Sequence, residues 1–101
     1  MSSHVVYHFK CANCGVCYIG ETTIQYIRRV DQHLHTDKKS AVYKHLREND
    51  SCMTSSDRNS FSIIDKARTE FQLRIKEAFY IQKMQPILNT QVKSVKVELV
   101  F

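Results

Sequence analysis

Residues His4 to Lys10 are rich in Val, Tyr and Phe, the side chains that suit a pleated, half-buried surface, and they predict a strand. Val16 to Gly20 predict a second one, and the intervening Cys11-Ala12-Asn13-Cys14-Gly15 has the length and the glycine of a hairpin loop. Thr22 and Gln25 stand at the capping-box spacing, which predicts a helix running to about His35 with an apolar stripe of Ile24, Ile27, Val30 and Leu34. Ser40 is placed to cap a shorter helix carrying Val42, Tyr43 and Leu46. The stretch Asn49 to Ser60 is polar and turn-rich and reads as a loop with Cys52 set inside it. Phe61 to Asp65 then predict a short strand.

A long helix is expected from about Lys66 to Met84, with Phe71, Ile75, Ala78 and Phe79 on one face. It stops before Pro86, because proline disfavours helix in the residue preceding it. Val95, Val97, Leu99 and Phe101 alternate with Lys96, Glu98 and Val100, so the chain is expected to end in a strand that needs an edge to pair with.

Composition narrows this picture. The 101 residues make one domain, and two glycines and one proline leave no room for a flexible linker or a low-complexity segment. With 43% hydrophobic and 25% charged residues the chain reads as globular, and its apolar runs are too short to span a membrane. Met1-Ser2-Ser3-His4 lacks the basic and apolar regions of a signal peptide, which points to an intracellular setting. Fifteen Lys and Arg against ten Asp and Glu give +5, a balance that favours a polyanionic partner, nucleic acid before anionic membrane. Four cysteines beside five histidines, with no secretion signal, favour metal over disulfides.

Cys11 and Cys14, followed by Gly15, form a Cys-x-x-Cys-Gly knuckle whose thiolates can face one ion at the hairpin tip. A thioredoxin-type pair would instead open a helix after a strand. Zinc needs two more ligands, and the choices are Cys17, His33, His35, His45 and Cys52. His45 and Cys52, six residues apart across a helix end and loop, are favoured. Arg29 and His33 share a helix face, which by itself describes a surface pair. Glu77 lies on the same side of its helix as Leu73, Ile81 and Met84; if buried it must be paired, protonated or metal-bound, and otherwise it is an exposed residue at the edge of the arc. Tyr7 and Tyr18, taken singly, read as cross-strand packing residues.

Taken in order, Val5-Val6-Tyr7, Cys11-x-x-Cys14-Gly15, Tyr18-Ile19-Gly20-Glu21-Thr22, Arg29-x-x-x-His33, Glu77-Ala78 and Pro86-Ile87-Leu88-Asn89 resemble the GIY-YIG endonuclease family, with the closest look to the nuclease domain of Penelope-like retroelements. The resemblance covers residues 5–89, leaving 90–101 as a C-terminal strand or tail. It implies an α+β fold, a small antiparallel β-sheet built on the N-terminal hairpin and flanked by helices. The implied activity is divalent-metal-dependent hydrolysis of DNA phosphodiesters, nicking or cleaving, in the service of retroelement insertion. Tyr7 and Tyr18 match the two signature tyrosines, Arg29 the helix arginine, and His33 the histidine one turn later. Glu77 matches the single carboxylate that holds Mg²⁺ or Mn²⁺, and Asn89 the asparagine that closes the domain.

The retroelement branch also implies a structural Zn²⁺ bound by two cysteines and two histidines. Cys11, Cys14 and His45 fit, while Cys52 stands where the second histidine is expected. Val5-Val6 likewise replaces the Gly-Ile of the first signature. The resemblance further implies DNA and a reverse transcriptase as partners, no membrane, and a nuclear setting. Because 101 residues cannot hold a polymerase, the expectation is an excised domain, a remnant or a free-standing module, with a dimer as one route to double-strand breaks. The alternative reading is a zinc-stabilised, catalytically inactive module of the same fold that binds nucleic acid.

Overall fold

The computed structural model describes residues 4–91; the strand expected from Val95 to Phe101 lies outside them. β1 (Val5–Lys10) and β2 (Cys17–Thr22) form an antiparallel hairpin, and β3 (Phe61–Lys66) pairs antiparallel with the other edge of β1. The sheet order β2-β1-β3 puts β1 in the middle. That position explains its composition: Val5, Val6, Tyr7 and Phe9 are all buried because both of its faces are covered. Tyr7 stands opposite Gly20 and Ile63, and Phe9 opposite Tyr18 and Phe61, with a register shift against β3 between Val6 and Tyr7. Opposed residues share a face, so Tyr7, Phe9, Tyr18 and Phe61 gather on one side of the sheet.

That side carries the larger core, in which Val30, Leu34, Val42, Leu46, Cys52 and Leu88 pack against Tyr7, Phe9 and Phe61. These residues come from α1 (Tyr26–Asp31), a π-helical segment (Gln32–Thr36), α2 (Ala41–Glu48), α3 (Asp50–Ser55) and a final helix, Ile87–Gln91. The other side is covered by the helix Glu70–Met84, here α4, through Leu73, which packs with Val6 and Ile19. The helix Ile87–Gln91 is then α5. The architecture is the expected α+β arrangement of a small antiparallel sheet flanked by helices.

Several local expectations are corrected. Thr22 caps no helix: it is the last residue of β2, paired with Val5, and its Oγ1 accepts from the Ile24 N–H at 3.1 Å. Pairing across the hairpin takes Thr22 that the local capping pattern would have used, and the helix begins at Tyr26 without a side-chain cap from Gln25. Before His35 it widens into the π-helical segment, closed by Asp37 N–H to Gln32 C=O at 2.8 Å. Ile27, counted in its apolar stripe, is exposed.

The region 49–60 is not a loop throughout, since α3 and a 3₁₀ turn at Arg58–Ser60 occupy it. Its polar residues are caps: Asn49 Oδ1 accepts from the N–H groups of Ser51 and Cys52, and Asp57 caps the 3₁₀ turn. Lys66 belongs to β3, and α4 begins at Glu70, with Thr69 accepting from the Gln72 N–H. α4 ends at Met84, where Gln85 turns left-handed (φ 49°) ahead of Pro86. Phe71 and Phe79 point to solvent, and the side of α4 turned to the sheet is that of Leu73, Tyr80 and Ile81.

Candidate active site and metal centre

The β1–β2 hairpin supports two clusters, one at mid-strand and one at the tip. At mid-strand the Tyr7 ring lies across Gly20, where a β-carbon would come within 2.5 Å of Tyr7 Oη and 2.9 Å of Tyr18 Cε2. Only glycine lets the two tyrosines share this surface. The π-helical segment lowers His33 into the same place, fully buried, between the Tyr7 and Tyr18 rings at 5.5 Å each, with Phe61 stacked on it at 5.8 Å. His33 Nε2 is 2.6 Å from Tyr7 Oη, and His33 Nδ1 is 2.5 Å from Ser40 Oγ. Arg29, one helical turn earlier, donates to Gln32 Oε1 at 2.8 Å and pairs with Asp37 at 2.9 Å.

The electrostatics follow from burial. Tyr7 is pushed well above the usual tyrosine range by burial and then by Tyr18, with the facing Arg29 opposing. Tyr18 is raised by burial and by the charge of Glu77. Burial and Arg29 hold His33 down at about 3, against the pull of Asp37, so its ring is neutral at ordinary pH. Glu77, on α4, is half-buried; burial first and Glu21 second push its carboxyl up to about 7 against Arg74. No hydrogen bond or ion pair to Glu77 occurs among the described residues. Asn89 accepts from the Ile19 N–H at 2.7 Å and donates to its C=O at 2.8 Å, which ties α5 to β2 between Tyr18 and Gly20.

At the tip, Gly15 (φ 82°) lets the loop close with its N–H on the Cys11 carbonyl at 2.9 Å. Cys11 and Cys14 thereby face His45 of α2 and Cys52 of α3, and the four ligand atoms lie within 4.8 Å of one another. Cys14 Sγ is 3.5 Å from His45 Nε2 and 3.8 Å from Cys52 Sγ. A tetrahedral zinc site with Zn–S bonds of about 2.3 Å has S···S edges of about 3.8 Å. Burial raises the Cys11 thiol, but the Cys14 and Asn13 backbone N–H groups and the His45 ring outweigh it and bring it down to about 6. This donor set suits a soft ion that binds thiolate. Cys17 stands outside the cluster, its Sγ 3.5 Å from the Gly15 carbonyl, and His35 is exposed.

Of the residues singled out from sequence, Tyr7, Tyr18, Arg29 and His33 come together in space, with Glu77 close enough to raise both phenols. Asn89 touches backbone rather than these side chains. Three neighbours were not legible: Phe61 behind the His33 ring, Asp37 on Arg29, and Ser40 on His33. Ser40 had a sequence signal, but only as a helix cap.

A comparison with protein-family models matches residues 3–91 to the one described as the GIY-YIG catalytic domain. No curated protein and no solved structure matches the chain.

Proposed function

The chain belongs to the GIY-YIG catalytic domain family, a family of nucleases, and from that premise we propose that it is a divalent-metal-dependent DNA endonuclease hydrolysing phosphodiester bonds. The observation that carries this reading is the gathering of Tyr7, Tyr18, Arg29 and His33 near a half-buried carboxylate, Glu77, that no donor among the described residues satisfies. A buried carboxylate in that state favours a hard cation. Glu77 would hold Mg²⁺ or Mn²⁺, which supplies Lewis-acid stabilisation of the phosphate and cheaper ionisation of water. Its single protein ligand fits an ion that keeps most of its coordination for water and phosphate.

The chain's own residues divide the remaining work. Asp37 and Gln32 fix the Arg29 guanidinium, whose planar fork is suited to clamp the non-bridging phosphate oxygens as charge develops on them. Tyr7 is the group to take the proton of the attacking water, as phenolate, once its own proton has been released to solvent. Burial holds its phenol protonated in the free protein, and Arg29 and His33 are the neighbours that reduce the cost of ionising it. Tyr18 lines the same surface, and Asn89 holds the β2 backbone beneath it. The net charge of +5 supports attraction to the DNA backbone.

Cys11, Cys14, His45 and Cys52 are proposed to bind a structural zinc ion, with Cys52 in the place of a second histidine. The knuckle inside the hairpin loop supports assignment to the Penelope-like retroelement branch, with a reverse transcriptase as partner and the nucleus as setting. One active site makes one break at a time, so a partner or a second copy is one route to cleavage of both strands.

The test is supercoiled plasmid incubated with Mg²⁺ or Mn²⁺. The wild type is expected to cut, and Glu77→Ala and Arg29→Ala to lose at least about 10³-fold in rate, with circular dichroism unchanged. Cutting at the normal rate by both variants overturns the assignment.

A further inference from the structure

Three polar side chains are buried among the described residues: Thr22, His33 and Ser40. Thr22 ends a strand and His33 contacts Tyr7, which leaves Ser40 without a part in the proposed reaction. Its Oγ accepts from the Tyr43 backbone N–H at 3.1 Å, capping α2, and lies 2.5 Å from His33 Nδ1. A backbone N–H can only donate, so one lone pair of Ser40 is committed to the cap.

The His33 ring is neutral and carries one N–H, on either nitrogen. With the proton on Nδ1, Ser40 Oγ would accept two N–H groups, and its own O–H would be buried with no acceptor among the described residues. With the Ser40 hydroxyl donating to Nδ1, every donor and acceptor of the pair is used. The ring proton then sits on Nε2, 2.6 Å from Tyr7 Oη. The hydrogen left over in this second arrangement is the phenolic one, on the oxygen that must exchange a proton with water. Each arrangement thus leaves one buried hydroxyl hydrogen without an acceptor, that of Ser40 in the first and that of Tyr7 in the second, and only the second is relieved when Tyr7 ionises.

We propose that Ser40 is a positioning residue whose hydroxyl donates to His33 Nδ1, fixes the ring as the Nε2–H tautomer and so aims a hydrogen-bond donor at the Tyr7 oxygen. Arg29 faces the same phenol, and the two donors lower the cost of ionising an oxygen that burial otherwise keeps protonated. A residue whose sequence signature is a helix cap thus also sets the proton arrangement two side chains away. The consequence for cutting rests on the nuclease reading, whereas the tautomer is a property of the folded chain.

Long-range ¹⁵N–¹H NMR of the His33 ring, in the full chain and in Ser40→Asp, Ser40→Ala and Ser40→Thr, tests this. The wild type and Ser40→Thr are expected to show a bare Nδ1 and a protonated Nε2. Ser40→Asp keeps an acceptor for the Tyr43 N–H but cannot donate, and is expected to move the ring proton onto Nδ1. Plasmid cutting should fall about tenfold or more in Ser40→Asp and Ser40→Ala, and Ser40→Thr should restore it. A wild-type ring protonated on Nδ1, a ring unmoved in Ser40→Asp, or a moved proton without loss of cutting overturns the inference. If the wild type cuts nothing with any divalent ion, the nuclease reading fails, and the tautomer measurement still decides the role of Ser40.

Discussion

The tip and the middle of one hairpin are chemically alike in carrying a cluster of reactive side chains, yet they are completed in opposite ways. At the tip, three thiols and an imidazole converge within 4.8 Å and have one another for neighbours, with Cys11 and Cys52 buried. At mid-strand, Tyr7, His33 and Ser40 form one set and Arg29 with Asp37 another, while Glu77 is half-buried with no hydrogen bond among the described residues. A closed set of soft donors calls for an ion as part of the fold. A hard carboxylate with no hydrogen bond among the described residues calls for an ion that arrives with, or stays for, a substrate. The difference lies in ligand chemistry and closure, not in location, since β1 and β2 build both.

The test with the largest effect removes the ion at the tip. Purified, reduced protein should contain about one equivalent of zinc. Stripping it with a strong chelator, or substituting Cys11→Ser, should lower the melting temperature by at least about 20 °C or leave the chain unfolded. Folded protein with no zinc and an unchanged melt would erase the distinction between the clusters.

A smaller effect of opposite sign belongs to Glu77. Its carboxyl titrates near 4.5 when unfolded and at about 7 in the fold, so the native state binds more protons between these values. Stability is therefore lost as pH rises through that window, and the cost persists above it. In urea melts of protein kept free of Mg²⁺ and Mn²⁺ but with its zinc retained, Glu77→Gln should gain roughly 2–3 kcal/mol at pH 8. It should gain little at pH 4. The absence of a gain at pH 8 would mean that Glu77 is as well solvated as any surface carboxylate.

The smallest effect comes from Gly20→Ala. The added methyl must displace the Tyr7 ring, at a cost of about 1–2 kcal/mol, because the nearest Tyr7 atoms lie at 2.5 and 2.6 Å from the new carbon. Zinc content should stay the same while cutting falls, since the tip does not touch this residue. A variant that loses zinc along with activity would show the two clusters to be mechanically one.

Legibility differed between the clusters for a physical reason. The four thiol and imidazole ligands were favoured from residue type and spacing alone, because few side chains bind zinc and the knuckle fixes two of them. The ordered motifs point to the mid-strand residues but not to the contacts among them. His33 and Arg29, four apart on a helix, read as a surface pair, and the π-helical widening that buries His33 has no signature in hydrophobic period. Asn49 and Asp57 look like loop residues in sequence because the same short polar side chains that make turns also cap helices.

Local pattern is enough to set the strands of the hairpin, the glycine-closed loop, the α2 cap at Ser40 and the residue types available for chemistry. Each of these depends on contacts between near neighbours or on the intrinsic chemistry of one side chain. It took long-range packing to make Thr22 end a strand, to turn Leu73 rather than Phe71 to the sheet, and to bring Ser40 to His33 beneath Tyr7. Those outcomes depend on residues far apart in the chain competing for the same backbone groups and the same buried space, and local pattern does not record that competition.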